Sequence, residues 1–447
     1  MRNDWRQKLH LEPRNGWLND PNGLSFFNGK YHVFFQYAPE SAYGSGEKCW
    51  GHWAAKDLIN WQFDGAVIRP DCPEDRNGVY SGCGFVKDGL LYLFYTGNVK
   101  EEGNHDYTTS GRGANVILVT TADGVHMSEK HVLLRNKDYP DYCSCHVRDP
   151  KVWEENGRYR MVLGARTLDD KGCVLFYSSD DLLDWDFDKR EDFPGFGYMW
   201  ECPDVIEIGG HRFLSISPQG LVHGEYTHQN VYSSGYFRYD NELDSFEEWD
   251  CGFDFYAPQS FIAPDGRVLF IGWMGIGDIP YTNPTAELGW QHCLTIPREL
   301  SVSEDGGIIQ RPAREYLSLG ENTGTELKNG GRITAELPFY FKSAAVSERF
   351  ELRFEKILEM KFADGVFSLS FIDEKTGGGR DSRRVKLSSI DSIEILADMS
   401  SLEIFPGGGK KVMSTRFYPE DTSITLTSDG IDGTVYRMKG MEVHSNE

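Results

Sequence analysis

Three carboxylic acids in this 447-residue chain stand in closely similar surroundings: Asp20-Pro21, Asp149-Pro150 and Glu201-Cys202-Pro203. Each lies eight or nine positions before a turn glycine, Gly29, Gly157 and Gly210 respectively. Carboxylates gathered in one pocket can attack an electrophilic centre or pass protons, provided their surroundings set their charge states apart. One such acid alone is more often a turn or cap residue, because aspartate is common in turns. Three in one register read as one device used three times, since a proline holds the backbone before it extended and so aims the acid.

Five strand pairs bent at glycine turns must position these acids. They span 24–27 with 31–37, 84–86 with 90–95, 151–153 with 159–163, 204–208 with 212–216, and 260–262 with 267–273. The turns Asn28-Gly29, Asp88-Gly89, Asn156-Gly157, Gly209-Gly210 and Asp265-Gly266 tolerate the positive φ that hairpins require. Their second residues follow one another at intervals of 60, 68, 53 and 56, each with room for a four-stranded antiparallel unit. A further recurrence, 56–61 with 180–185, brings Trp61 and Trp185 into matching positions. Radial repetition of this kind predicts a five-bladed β-propeller, with the acids entering their blades at one position around a central cavity. Ser81 takes that place in blade two, and Ala257, flanked by Tyr256 and Gln259, takes it in blade five.

Beyond Pro312 the pattern changes. Short alternating strands separated by Gly377-Gly378-Gly379 and Gly407-Gly408-Gly409 predict an antiparallel β-sandwich. The chain therefore reads as all-β: a propeller over residues 1–312, a Gly/Asn-rich linker over 313–330 and a sandwich over 331–447 of structural or stabilising role.

Charge narrows the ligands. The chain has 46 basic and 69 acidic residues, a formal net charge of −23, which repels nucleic acid and anionic membranes. A small neutral or weakly charged ligand is expected. Residues 1–11 are polar and lack the apolar core of a secretory signal, no run reaches membrane-spanning length, and nine cysteines show no framework spacing. These features predict reduced thiols and a cytoplasmic location. Cys143, Cys145 and His146 lack a second ligand pair, and 44–48 lacks the phosphate-loop pattern, so neither a metal nor a cofactor is expected. The oligomeric state stays open.

The stretch Asn15-Gly16-Trp17-Leu18-Asn19-Asp20-Pro21-Asn22-Gly23 resembles the signature of glycoside hydrolase family 32, the invertases, fructan hydrolases and sucrose-6-phosphate hydrolases. Phe35-Gln36-Tyr37, Trp50-Gly51-His52, Tyr80-Ser81-Gly82, Arg148-Asp149-Pro150, Trp200-Glu201-Cys202-Pro203-Asp204 and Gly272-Trp273-Met274 match in order. The resemblance implies a five-bladed propeller with a sandwich, Asp20 as nucleophile, Glu201 as acid/base and Asp149 as a transition-state stabiliser holding fructose hydroxyls. Asn19, Gln36, Trp50, Ser81, Arg148, Tyr256 and Trp273 are then substrate-binding residues. Hydrolysis with retention needs Asp20 ionised through hydrogen bonds, and Glu201 protonated in a less polar, like-charged setting. Tyr43 stands where many members carry tryptophan, which leaves the leaving-group preference open.

The implied function is fructose release from sucrose or short fructo-oligosaccharides through a covalent fructosyl-enzyme, without metal or cofactor. Sucrose-6-phosphate hydrolysis is a close alternative that demands a cation near the glucose 6-position. Lys48 and Arg112 are candidates, although surface solvation is the simpler expectation for both. Fructosyl transfer would use the same acids, and a non-catalytic sugar-binding propeller would be expected to have lost one of them.

Overall fold

The hairpin turns form because their residues accept backbone that most side chains resist. In the computed structural model, which describes residues 5–445, Asn28 and Gly29 have φ of 48° and 72°, and Asp88-Gly89, Asn156-Gly157 and Gly209-Gly210 repeat the pair. This is the turn whose twist matches the strands it joins. At Asp265-Gly266 only the glycine has positive φ, 85°, and the connection is longer. Residues 1–4 of the polar N-terminal stretch, and 446–447, lie outside the described residues.

Strands β1 to β4 (Gly16–Phe27, Lys30–Ala38, Cys49–Ala55, Asn60–Ile68) pair antiparallel in order. So do β5 to β8 (Val79–Lys87, Leu90–Lys100, Arg112–Thr121, His131–Leu134) and β9 to β12 (Cys143–Glu155, Arg158–Thr167, Gly172–Ser179, Asp186–Glu191). A further sheet holds β13 to β16 (Met199–Ile208, His211–Gln219, Gly235–Arg238, Phe246–Glu248). Then β17 and β18 (Tyr256–Ile262, Val268–Trp273) are followed by the short β19 (Trp290–Gln291) and by β20 and β21 (Arg298–Val302, Ile308–Pro312). The order in that last sheet is β17-β18-β20-β21, and β19 departs to β1.

Here the expectation of five like blades is corrected. Four sheets have the regular four-stranded form of a blade, whereas β1–β4 belong to a six-stranded sheet. The cause lies at its two edges, where free backbone groups take up further strands. β19 adds in parallel to β1, with Gly16 opposite Trp290, and Glu442–Ser445 adds in parallel to β4. The inner strands β1, β5, β9, β13 and β17 are neighbours in turn, and β17 also meets β1, so they surround one axis. The result is an all-β, propeller-like arrangement.

Each inner strand is interrupted by a bulge near its start. The ladders skip between Leu18 and Pro21, Tyr80 and Gly82, Arg148 and Lys151, Glu201 and Asp204, and Tyr256 and Gln259. A bulge leaves residues unpaired and bends the strand, so successive side chains no longer alternate strictly between faces.

The remaining strands form a sandwich-like unit. Its ten-stranded antiparallel sheet includes Thr325–Leu327, Phe339–Phe354 and Ser423–Arg437, and the last two bend where their mutual register slips. Phe339, Phe341, Leu352, Phe354, Ile395 and Leu402 fill the core between the layers. No helix of the described residues is long and apolar enough to cross a membrane.

Candidate active site

The bulged strand starts open onto one cavity of about 400 Å³, lined by Asp20, Asp149 and Glu201. Asn19, Gln36, Ser81, Arg148, Tyr256 and Trp273 share its wall, so the structure brings together nine of the ten residues expected from sequence. Trp50 is the exception. It is fully buried between the first two sheets against Phe34 and Tyr95, and its indole N–H donates to the Tyr80 carbonyl at 3.0 Å. Its ring faces the neighbouring sheet, which corrects its assignment as a residue touching the ligand.

Asp20 is held at both oxygens. Ser81 donates to Oδ2, and Asn19 donates to Oδ1 at 3.1 Å. Asn19 is itself fixed, donating to Gln36 Oε1 and accepting from the Trp17 indole at 2.9 Å. Burial drives the Asp20 pKa upward and the two donors pull it back, with a net rise. Asp149 adopts φ 63° and accepts the Cys202 backbone N–H at 3.0 Å. Burial pushes its pKa up to about 7 against the pull of Arg148.

Glu201 departs from expectation in two ways. Ladder register matches it with Arg148 and Tyr256, while Cys202 matches Asp149 and Ala257, all three of which have positive φ (46°, 63° and 49°). The acids of the third and fourth sheets are therefore one residue out of step, and both reach the cavity because the bulge breaks alternation. Secondly, its setting is polar. Arg148 donates to Oε1 from Nε at 3.0 Å and Nη2 at 2.6 Å, while Gln219 and the Tyr256 hydroxyl donate to Oε2 at 2.7 and 2.6 Å. Trp200, its neighbour in sequence, lies in the core behind the strand.

Three cations balance the acids. Lys48 and Arg112 line the same cavity as Arg148, which corrects the expectation that both are solvated surface residues. Burial lowers the Lys48 pKa to about 8, and its ammonium lies 5.5 Å from the Trp17 ring. For Arg148 burial opposes the charge, but Glu201 and Asp149 outweigh it and keep the guanidinium protonated. His146 ties the two arginines together, its Nδ1 lying 2.8 Å from Arg148 and 3.5 Å from Arg112. Burial, then the two positive neighbours, lower its pKa to about 3, so the ring is neutral and accepts from them. The contact holds one end of the Arg148 guanidinium while Glu201 holds the other. Among the described residues no group of three or more His, Cys, Asp or Glu side chains is placed to hold a metal ion.

Sequence reasoning missed Gln219, Tyr232 and Asp278, which also line the cavity. Gln219 ends β14 opposite Met199, and a count of hairpin positions on the second strand of each sheet would have drawn attention to it. Tyr232 and Asp278 lie on irregular loops with no periodic signal.

An axial pocket with three carboxylates, each held by named donors, and a wall of hydroxyl, amide and aromatic groups has the equipment of a glycoside hydrolase. The family model for "Glycosyl hydrolases family 32 N-terminal domain" matches residues 10–312, and that for "Glycosyl hydrolases family 32 C terminal" matches 366–445. The chain is 36% identical over 442 residues to a sucrose-6-phosphate hydrolase of Bacillus subtilis (strain 168), covering 93% of this chain and 89% of the relative. It is 35% identical to a raffinose invertase of Escherichia coli, with 98% and 96% covered. A solved sucrose-6-phosphate hydrolase from Lactobacillus gasseri superposes with a TM-score of 0.87 at 28% identity, over 98% of this chain and 94% of that one. This chain belongs to glycosyl hydrolase family 32.

Proposed function

We propose that the enzyme releases fructose from sucrose or short fructo-oligosaccharides as a retaining β-fructofuranosidase. The observation that carries this reading is the meeting of Asp20 and Glu201 in one sugar-sized pocket with independent sets of donors. Asp20 attacks the anomeric carbon of fructose while Glu201 protonates the departing oxygen. Water, activated by Glu201 as base, then cleaves the fructosyl-enzyme. Asp149 and Arg148 hold fructose hydroxyls, with Asn19, Gln36 and Ser81 beneath the ring and Trp273 at its edge. Sugar hydroxyls arriving at Arg148 compete for the donors that grip Glu201, which favours the protonated acid that the first step needs.

The decisive experiment is turnover of sucrose with release of fructose of retained configuration, followed by NMR in the first seconds. Inverted product would sink the two-step scheme. Lys48 and Arg112 on the pocket wall support a second reading, in which the glucose moiety carries a 6-phosphate. A kcat/KM for sucrose-6-phosphate far above that for sucrose would make it the first. The division of the chain follows the same logic, with two changes to the expected bounds: residues up to 312 carry the catalysis and the sandwich follows, but the expected linker 313–330 already supplies the sandwich strand Thr325–Leu327, and Glu442–Ser445 returns to the first sheet. We assign the enzyme to the cytoplasm, consistent with nine free cysteines among the described residues.

A further inference from the structure

Beyond the strand residues that hold Glu201, the rim of the pocket carries two loops, and both are tied down by the sandwich. Tyr232 lies near the end of the loop 220–234, its main chain bridged to Gln219, and its ring stands 5.9 Å from that of Tyr256, whose hydroxyl holds Glu201. Across the rim the Tyr232 hydroxyl donates to Asp278 Oδ2 at 2.6 Å, and Asp278 belongs to a second loop, 275–283. Both side chains line the cavity.

The sandwich strand Ser382–Lys386 fixes the first loop. The side-chain amide of Gln229 pairs with the main chain of Arg384 as another strand would, accepting its N–H at 3.0 Å and donating to its carbonyl at 2.7 Å. Arg383 Nε donates to Asn230 Oδ1 at 2.8 Å, and Asn230 donates onward to the Gly252 carbonyl at 2.8 Å. The second loop is held by Arg380, which precedes that strand. Its guanidinium lies 5.1 Å from the Tyr281 ring and 2.8 Å from Asp254, which also accepts from the Tyr281 hydroxyl at 3.2 Å. One stretch of the sandwich, 380–386, thus anchors both sides of the rim. Gln229 and Arg384 meet at the surface, where a hydrogen bond contributes little net stability; what it determines there is the position of the loop.

We infer that the 380–386 segment of the sandwich positions the leaving-group side of the pocket, with Gln229 and Arg383 as positioning residues that set Tyr232 and Asp278 against the departing sugar. This rests on the fructoside-cleaving reading above. Fructose lies deep against Asp20 and Asp149, away from the rim. The departing sugar, whose oxygen takes the proton from Glu201, must pass Tyr232. The sandwich is therefore more than the stabilising appendage expected from its sequence.

The test uses the full chain and three fructosides: methyl β-D-fructofuranoside, whose leaving group is too small to reach the rim, sucrose, and raffinose. In the Gln229→Ala/Arg383→Ala double variant, kcat/KM for the methyl fructoside stays within about twofold of wild type. KM rises about fivefold for sucrose and more for raffinose with kcat nearly unchanged, as expected when binding to one side of the scissile bond is loosened. Asn230 can still accept from a lysine, so Arg383→Lys alone recovers most of the sucrose KM. Equal losses on the methyl fructoside and sucrose would overturn the inference by showing a general structural effect, as would unchanged KM on all three. A wild-type enzyme inert on every one of them and on sucrose-6-phosphate would overturn the fructoside reading, and this inference with it.

Discussion

Two regions of this molecule bury several charges together, and they are built to opposite ends. At the joint between the propeller-like sheets and the sandwich, His10 lies between Asp398 at 2.8 Å and Glu403 at 3.0 Å. Arg298 bridges Glu403 at 2.7 Å and Asp250 at 3.1 Å, and every one of these side chains is inaccessible to solvent. Backbone groups saturate the rest: Asp398 accepts from Lys8 and Leu9, Glu403 from Ile296, and Asp250 from Gly252 and Ser414. In the pocket Asp149 is buried and Asp20 and Glu201 are half-buried, all three hydrogen-bonded, yet they face a cavity. Displaced titration thus marks both the structural joint, at His10, and the candidate active site, at Asp149, and it is the open face that distinguishes them.

The comparison breaks first at the acids. Asp20→Ala and Glu201→Ala should each lower kcat about 10³-fold or more, while the melting transition stays within a few degrees of wild type. Near-normal turnover in either variant would place the chemistry elsewhere. The joint should behave the other way. Arg298→Met strands Glu403 and Asp250 and should cost about 3–5 kcal/mol in denaturant unfolding, with activity per folded molecule intact.

A pH series sharpens the contrast. Burial alone would lower the His10 pKa, but hydrogen bonds to Asp398 and Glu403 raise it to about 9. The stability it contributes is complete below the unfolded value near pH 6.5 and is lost as pH rises through about 9. The stability gap between wild type and His10→Ala should therefore narrow by on the order of 3 kcal/mol between pH 6 and pH 10. Asp149 is also shifted upward by burial, so its contribution is complete below about pH 4 and is lost as pH rises through about 7. Asp149→Asn should accordingly gain thermal stability over wild type between pH 5 and pH 8 as it loses activity, and a fall over that range would contradict the assignment. The smallest effect on function is expected at Trp50→Phe: a loss of roughly 1–3 kcal/mol of stability from the imperfectly refilled core, with KM for sucrose within about twofold.

Much of the site was legible because it is local. Glycine turns at regular intervals, prolines behind the acids and the Trp-Leu-Asn-Asp-Pro motif all act within a few residues, and they led to Asp20, Asp149 and Ser81, while Arg148 came only with the family resemblance. Trp50 misled because a residue inside a matched motif can still turn to either face of its strand, and packing against Phe34 and Tyr95 decided which. The polar setting of Glu201 could not be read either, since Gln219 and Tyr256 reach it from β14 and β17. Lys48, just before β3, and Arg112, at the start of β7, looked like surface cations because nothing in their neighbours says that they face the cavity.

The amino-acid order alone determined the hairpins, the all-β class and which acids stand ready, because backbone φ preferences and strand alternation are properties of adjacent residues. Only the tertiary structure decided that the first sheet takes six strands, that bulges turn Arg148 with Asp149 and Glu201 with Cys202 into one cavity, and that a sandwich strand braces the rim. Those outcomes depend on which edges find partners and on side chains separated by 50 to more than 150 positions. Such contacts are selected by packing in space, and no local preference along the chain records them.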